Sequence, residues 1–192
     1  MKEEREIEDI VGNLKQSESR KKGINSGDKG DRGEREICDI FNKHFMRLLS
    51  ENIKWGRFNR VIGSGAFGHR ALSESGKEAS IGDILCPTGF RFVLEAKLGY
   101  NDANIELFGI ADKGNAILDN FLKQVEDDAS RSENKMPMLL WRKDRKKHIA
   151  FLKTKNLPKR RYKYSLKYRD WTAIPLTELL KEDNDFFFIL SD

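Results

Sequence analysis

The stretch IGDILCPTGFRFVLEAKLG, residues 81–99, constrains this chain most. Two largely apolar arms flank Pro87-Thr88-Gly89. That centre suits a three-residue hairpin loop, with proline at the first turn position and glycine at the left-handed position that closes it. If Cys86 stands opposite Phe90, counting outwards sets Ile84 against Phe92 and Asp83 against Val93. Side chains alternate along a strand, so Arg91, Val93, Glu95 and Lys97 share one face, and Phe92, Leu94, Ala96 and Leu98 the other, which would be core. Asp83 falls on the charged face, one diagonal step from Glu95. A two-residue loop would move it to the opposite face, so its place depends on the register.

Charges on such a strand need a reason. Two carboxylates within reach of each other repel unless a cation lies between them. Oxygen-only ligands suit Mg²⁺, which binds one or two carboxylates and fills its shell with water and phosphate oxygens. A lysine beside such a site can orient or deprotonate an attacking water, or stabilise charge developing on a phosphoryl group. The competing reading is an exposed strand face with an ordinary ion pair, which is worth little. The hairpin alone leaves both open.

At 192 residues one domain with a normal core is expected. No apolar run approaches membrane-spanning length, so no membrane partner is expected, and MKEEREIEDI carries no signal-peptide pattern. Cys38 and Cys86 form neither a metal spacing nor a disulfide framework. They read as small buried apolar residues in a reducing cytoplasm. Charge is distributed unevenly: residues 142–169 hold thirteen Lys/Arg and one acid, Asp144, within a chain of net charge only +5. That concentration is the electrostatic footprint of a nucleic-acid partner. Aromatics interleave with it in KRRYKYSLKYRDW, where Lys159, Arg160, Arg161 and Lys163 are candidate DNA contacts. A solvated basic face, or attachment to an acidic protein or membrane, is the alternative.

Residues 1–28 read as an N-terminal helical arm and linker, and 29–192 as the main domain with a basic C-terminal region. A helix is expected over roughly 30–50, with Ile37, Ile40, Phe41, Phe45, Leu48 and Leu49 on one stripe and His44 packed among them. On that wheel Glu34 lies roughly 50° from the stripe's centre and Glu36 roughly 110° away. Glu34 is therefore the carboxylate expected to face the sheet, unless it only complements the dipole of the first helical turn. VIG ends a strand. GSGAFG (63–68) matches a dinucleotide-binding string, but no amphipathic helix follows it, which argues against that use. A loop carrying Ser64, His69 and Arg70 could instead lie against a phosphate backbone, or simply connect. NAILDNFLKQVEDDAS (115–130) predicts a second amphipathic helix through Ile117, Leu118, Phe121, Leu122 and Val125. MPMLLW, HIAFL, WTAIPL and DFFFIL read as strands, the first two joined by the basic turn RKDRKK, with a helical TELLK before the last. This order gives an α/β fold, a mixed central β-sheet flanked by helices.

Four pieces in this order, KGDRGEREI (29–37), GSGAFG, Gly82-Asp83 and Glu95-Ala96-Lys97, resemble the PD-(D/E)XK nuclease superfamily, and most closely the Holliday-junction resolvases of archaea and their phages. MPMLLWRKDRKKHIAFL looks like the two strands that follow the active-site helix, so the likeness covers roughly 29–152. It implies a restriction-endonuclease-like core and a homodimeric, Mg²⁺-dependent endonuclease that Mn²⁺ should also support. Its partner would be DNA, in a bacterial, archaeal or viral setting near the nucleoid. Asp83 and Glu95 would be metal ligands, Lys97 the catalytic lysine and Glu34 an additional carboxylate. Lys29, Arg32 and Ser64 would lie near the phosphates. Glycine precedes Asp83 where the pattern has proline, the insertion from His69 to Ser80 is long, and residues 153–192 have no obvious counterpart. The expected activity is hydrolysis of phosphodiesters in branched DNA. A restriction-type or repair nuclease, or a DNA-binding module without catalysis, are the alternatives.

Overall fold

The structure is a computed structural model that describes residues 26–61, 81–98, 114–132 and 134–190. The chain opens with helix α1 (Ser26–His44) and a short α2 (Met46–Glu51). The strands are β1 (Asn59–Arg60), β2 (Ile84–Leu85), β3 (Phe92–Leu98), β4 (Met136–Arg142), β5 (Ile149–Lys153), β6 (Leu166–Tyr168) and β7 (Trp171–Pro175). Helix α3 (Ala116–Ser130) lies between β3 and β4, and the one-turn helices α4 (Leu176–Leu179) and α5 (Asn184–Phe187) follow β7. The strands form one mixed sheet in the order β1-β2-β3-β4-β5-β7-β6. β3 and β4 pair in parallel and every other neighbouring pair is antiparallel. The expected α/β architecture is present, and it is consistent with a restriction-endonuclease-like core.

Alternation along the strands builds two cores. Phe92, Leu94, Met138, Leu140, Ala150, Leu152 and Ile174 point to the α1 side, where Ile37, Phe41 and Phe45 recur every fourth residue. Leu139, Trp141, Phe151, Trp171 and Ala173 point to the other side, where α3 supplies Leu118, Leu122 and Val125. Asn115 caps α3, its side-chain oxygen accepting from the N–H groups of Ile117 and Leu118. Ile117, expected in the apolar stripe, is exposed, as is His44, which lies edge-on to Phe45 just where α1 ends. α1 begins at Ser26, so part of the expected linker is helical. Gly33 lets α1 come close to β3: a Cβ there would stand 2.0 Å from Leu98 Cδ1.

Two local expectations need correction. The β2–β3 register places Ile84 opposite Leu94 rather than Phe92. The shift is two residues, so every side chain keeps its face. Its cause is non-local. Phe90 N–H closes the turn on Pro87 O (3.1 Å), but Arg91 N–H donates to Phe187 O (2.8 Å) and Phe90 bridges to Phe188, so the C-terminal segment takes the place of a ladder between the hairpin's inner residues. DFFFIL is correspondingly a helical turn and a bridge, not a strand. Phe187 and Phe188 are adjacent and both fully buried, which a strand with one covered face does not allow. They join Phe45, Phe58, Phe90 and Phe92 in one aromatic cluster, with Phe58–Phe90 and Phe45–Phe188 centroids 4.9 and 5.1 Å apart. Each such ring contributes about 1.5–3 kcal/mol by burial. Cys38 belongs to the same core, and burial pushes its thiol up to about 11.

Candidate active site

The end of β3 carries the charged side chains. Glu95 is 1 % exposed and Lys97 and Asp83 are only slightly more open. In the observed register Asp83 stands directly across from Glu95, one step closer than the diagonal expected. Two backbone bonds fix it there. Asp83 N–H donates to Leu94 O (3.0 Å), and Ala96 N–H donates to Asp83 Oδ2 (2.9 Å). Gly82 makes this turn possible. Its φ is +82°, and a Cβ on it would stand 2.6 Å from the Leu94 carbonyl oxygen. The position before the aspartate, where the superfamily pattern has proline, therefore needs glycine in this chain.

Lys97 Nζ contacts Glu95 Oε1 and lies 3.9 Å from Asp83 Oδ2. Gln124 Nε2, from α3, donates to the same Glu95 oxygen (2.5 Å). Burial, and then the nearby Asp83 charge, push the Glu95 carboxyl up to about 8, although Lys97 pulls the other way. An open depression of about 590 Å³ borders the site at Gln124 and Asp128. Gln124 was missed in the sequence because an amide in an amphipathic helix carries no charge signal.

Glu34 is buried on α1, as its wheel position predicts. Arg60 Nε donates to Glu34 Oε2 (2.8 Å) and its Nη2 to Asp31 Oδ1 (2.5 Å). Burial raises the Glu34 pKa, Arg60 opposes that, and Asp83 adds to it. Glu34 thus shares the field of the β3 site while bonded to Arg60. Glu36 has a partner of its own: Arg142 Nη1 donates to its Oε1 (2.5 Å).

The other candidates divide. Lys29 lies in the α1 backbone and Arg32 is exposed on α1. Ser64, His69 and Arg70 lie outside the described residues. Lys159, Arg161 and Lys163 are exposed, whereas Arg160 pairs with Glu182 and lies over the Tyr162 ring.

A family model described as "Phage putative PDDEXK endonuclease" matches residues 25–187. The chain belongs to this family. No curated protein and no solved structure matches it. Membership in a PDDEXK endonuclease family makes a nuclease the general expectation, and such nucleases generally use divalent metals. Among the described residues no three His, Cys, Asp or Glu side chains gather as a metal-binding group. The Asp83–Glu95 pair nonetheless suits a hard cation. Both groups are carboxylates, and one is buried enough to resist ionisation beside the other. Among the described residues, no helix is long and apolar enough to cross a membrane.

The raised Glu95 pKa gives a testable sign. Unfolded, the carboxyl ionises near 4.5; folded, it holds its proton to about 8. Between those values the folded chain binds more protons, so stability falls as pH rises through that window. In metal-free buffer the melting temperature should decline from pH 5 to pH 8, and Glu95→Gln should flatten the decline. Equal slopes for the two proteins would exclude this account. Added Mg²⁺ should raise the wild-type melting temperature more at pH 8 than at pH 6, because a proton competes for the same oxygens.

Proposed function

We propose that the chain is a Mg²⁺-dependent endodeoxyribonuclease. The observation that carries this is the convergence of Asp83, Glu95 and Lys97 at one strand end, inside a chain of the PDDEXK endonuclease family. Asp83 and Glu95 would hold the ion, which when bound supplies Lewis-acid stabilisation of a phosphodiester and a more acidic water. Mn²⁺ should replace it. The Lys97 ammonium lies close enough to both carboxylates to hold the attacking water and to stabilise charge developing on the phosphoryl group, and Gln124 keeps the Glu95 carboxylate in place. Glu34 would orient this water, or complete the ion's shell, from the α1 side.

DNA as the substrate is supported by the thirteen cations between 142 and 169. Branched DNA and a homodimer are supported by the motif order shared with junction resolvases. A restriction-type or repair nuclease on linear DNA is the second reading. Four-way junctions, flaps and linear duplexes of matched sequence, incubated with Mg²⁺, Mn²⁺ or EDTA, test the metal dependence and the DNA substrate. Metal-dependent cutting concentrated on the junction is expected. Cutting of linear duplex alone would replace the branched substrate, and DNA binding without cutting under any metal would remove the catalytic reading.

Glu34→Gln should lower turnover by about 10-fold or more, with partial rescue by Mn²⁺, and because it weakens the buried pair with Arg60 its melting temperature should fall only modestly. Glu36→Gln is the comparison. It weakens a half-exposed pair with Arg142, so it should cost less than about 1 kcal/mol and retain turnover. Similar turnover in the two variants would remove Glu34 from the site.

A further inference from the structure

The basic residues of 142–169 fall into two places. β3 and β4 run in parallel and in register to their ends, with Lys97 beside Trp141 and Leu98 beside Arg142. The turn that follows β4 therefore leaves the sheet at the same end as the candidate catalytic lysine, one strand away, at a spacing of about 4.8 Å. This turn carries Lys143, Arg145, Lys146 and Lys147 in five residues, with Asp144 between them. It is a closed turn: Lys146 N–H donates to Lys143 O (3.1 Å), and Arg145 takes a φ of +59°. Arg145, Lys146 and Lys147 are exposed.

The root of the turn is tied to α1 through Glu36. Arg142 Nε and His148 Nε2 are buried without a hydrogen bond, while Arg142 Nη1 is paired with Glu36 and His148 Nε2 lies 4.0 Å from the same Glu36 Oε1. By contrast, the neighbouring 159–163 stretch joins β5 to β6, and β6 is the far edge strand, four strands and about 19 Å from β3. Its Arg160 is already paired with Glu182.

We propose that the β4–β5 turn, residues 142–148, is the principal phosphate-backbone contact of this nuclease. It would grip the cleaved strand within about three nucleotides of the scissile bond, given roughly 3.4 Å of rise per nucleotide and one or two strand spacings. This rests on the nuclease reading. The turn's exposed cations bind the flanking phosphates, and the 159–163 patch makes a secondary contact farther along.

The test uses the full chain carrying Asp83→Asn, so that the probe survives, with fluorescent duplex and four-way junction DNA over a salt series in EDTA. One variant adds Lys143→Gln, Arg145→Asn, Lys146→Gln and Lys147→Gln; asparagine tolerates the left-handed backbone at 145. A second adds Lys159→Gln, Arg161→Gln and Lys163→Gln. The turn variant should lose at least about tenfold in affinity, with its log K against log salt slope reduced by about 2–3, and the second variant clearly less. In an ethylation-interference map of the parent complex, the sensitive phosphates should flank the cleaved bond. If the parent binds DNA but the turn variant keeps its affinity and slope, or the second variant loses more, the assignment to the turn is wrong while the nuclease reading stands. If the parent binds neither DNA, both fall.

Discussion

Asp83→Asn should abolish cleavage, by about 10²–10⁴-fold, while leaving DNA affinity and the melting temperature intact. The reasoning follows from what the aspartate does structurally. Its Oδ2 accepts one backbone N–H, from Ala96, and an asparagine oxygen can accept the same bond. What disappears is a negative charge beside the buried Glu95, a charge that burdens the fold because it helps to raise the Glu95 pKa. Stability should therefore hold or rise slightly as activity vanishes. Lys97→Ala should show the same loss of turnover; it also removes the cation that opposes the rise of the Glu95 pKa, so its melting temperature should fall below the wild-type value mainly above about pH 8, where wild-type Glu95 is ionised. Substantial metal-dependent cutting by either variant would remove that residue from the chemistry.

Gly82→Ala should damage both stability and turnover. At φ +82° an alanine is strained by about 1–2 kcal/mol before any contact is counted. Its Cβ would also stand 2.6 Å from a backbone oxygen of β3, which has no rotamer with which to move away. The total should reach about 2–4 kcal/mol. Relief comes by moving Asp83 away from β3, which breaks the Asp83 N–H to Leu94 O bond and the alignment opposite Glu95. Denaturant melts and steady-state cleavage together check this. A variant with wild-type stability would show that the turn has another low-energy conformation. Gly82→Pro should be worse, since proline cannot adopt positive φ and has no N–H.

The parts of this protein that could be read from its sequence are those governed by nearby residues. The apolar stripes of α1 and α3, the strands β4 and β5, and the shared face of Asp83, Glu95 and Lys97 follow from periods of 3.6 and 2. The hairpin register did not follow, because Phe90 and Arg91 bond to a segment almost a hundred residues away. The face survived only because the shift was even. β6 was hidden inside a stretch whose charge spoke for nucleic acid rather than for a strand. Arg60 lies in a two-residue edge strand too short to show a pattern, so its grip on Glu34 was invisible. His44 was placed in the core by carrying the helical phase to the last residue of α1, where the side chain is exposed instead.

The bond from Arg91 to Phe187 bears on when the enzyme can act. β3 carries Glu95 and Lys97, and its first residues rest on aromatic rings that the ribosome adds some ninety residues later. Contacts so distant along the chain form late and slowly. A nascent chain that has exposed Asp83, Glu95 and Lys97 but not yet Phe187 and Phe188 lacks the support beneath that strand. Synthesis thus imposes its own delay: the cutting edge is made early and armed last.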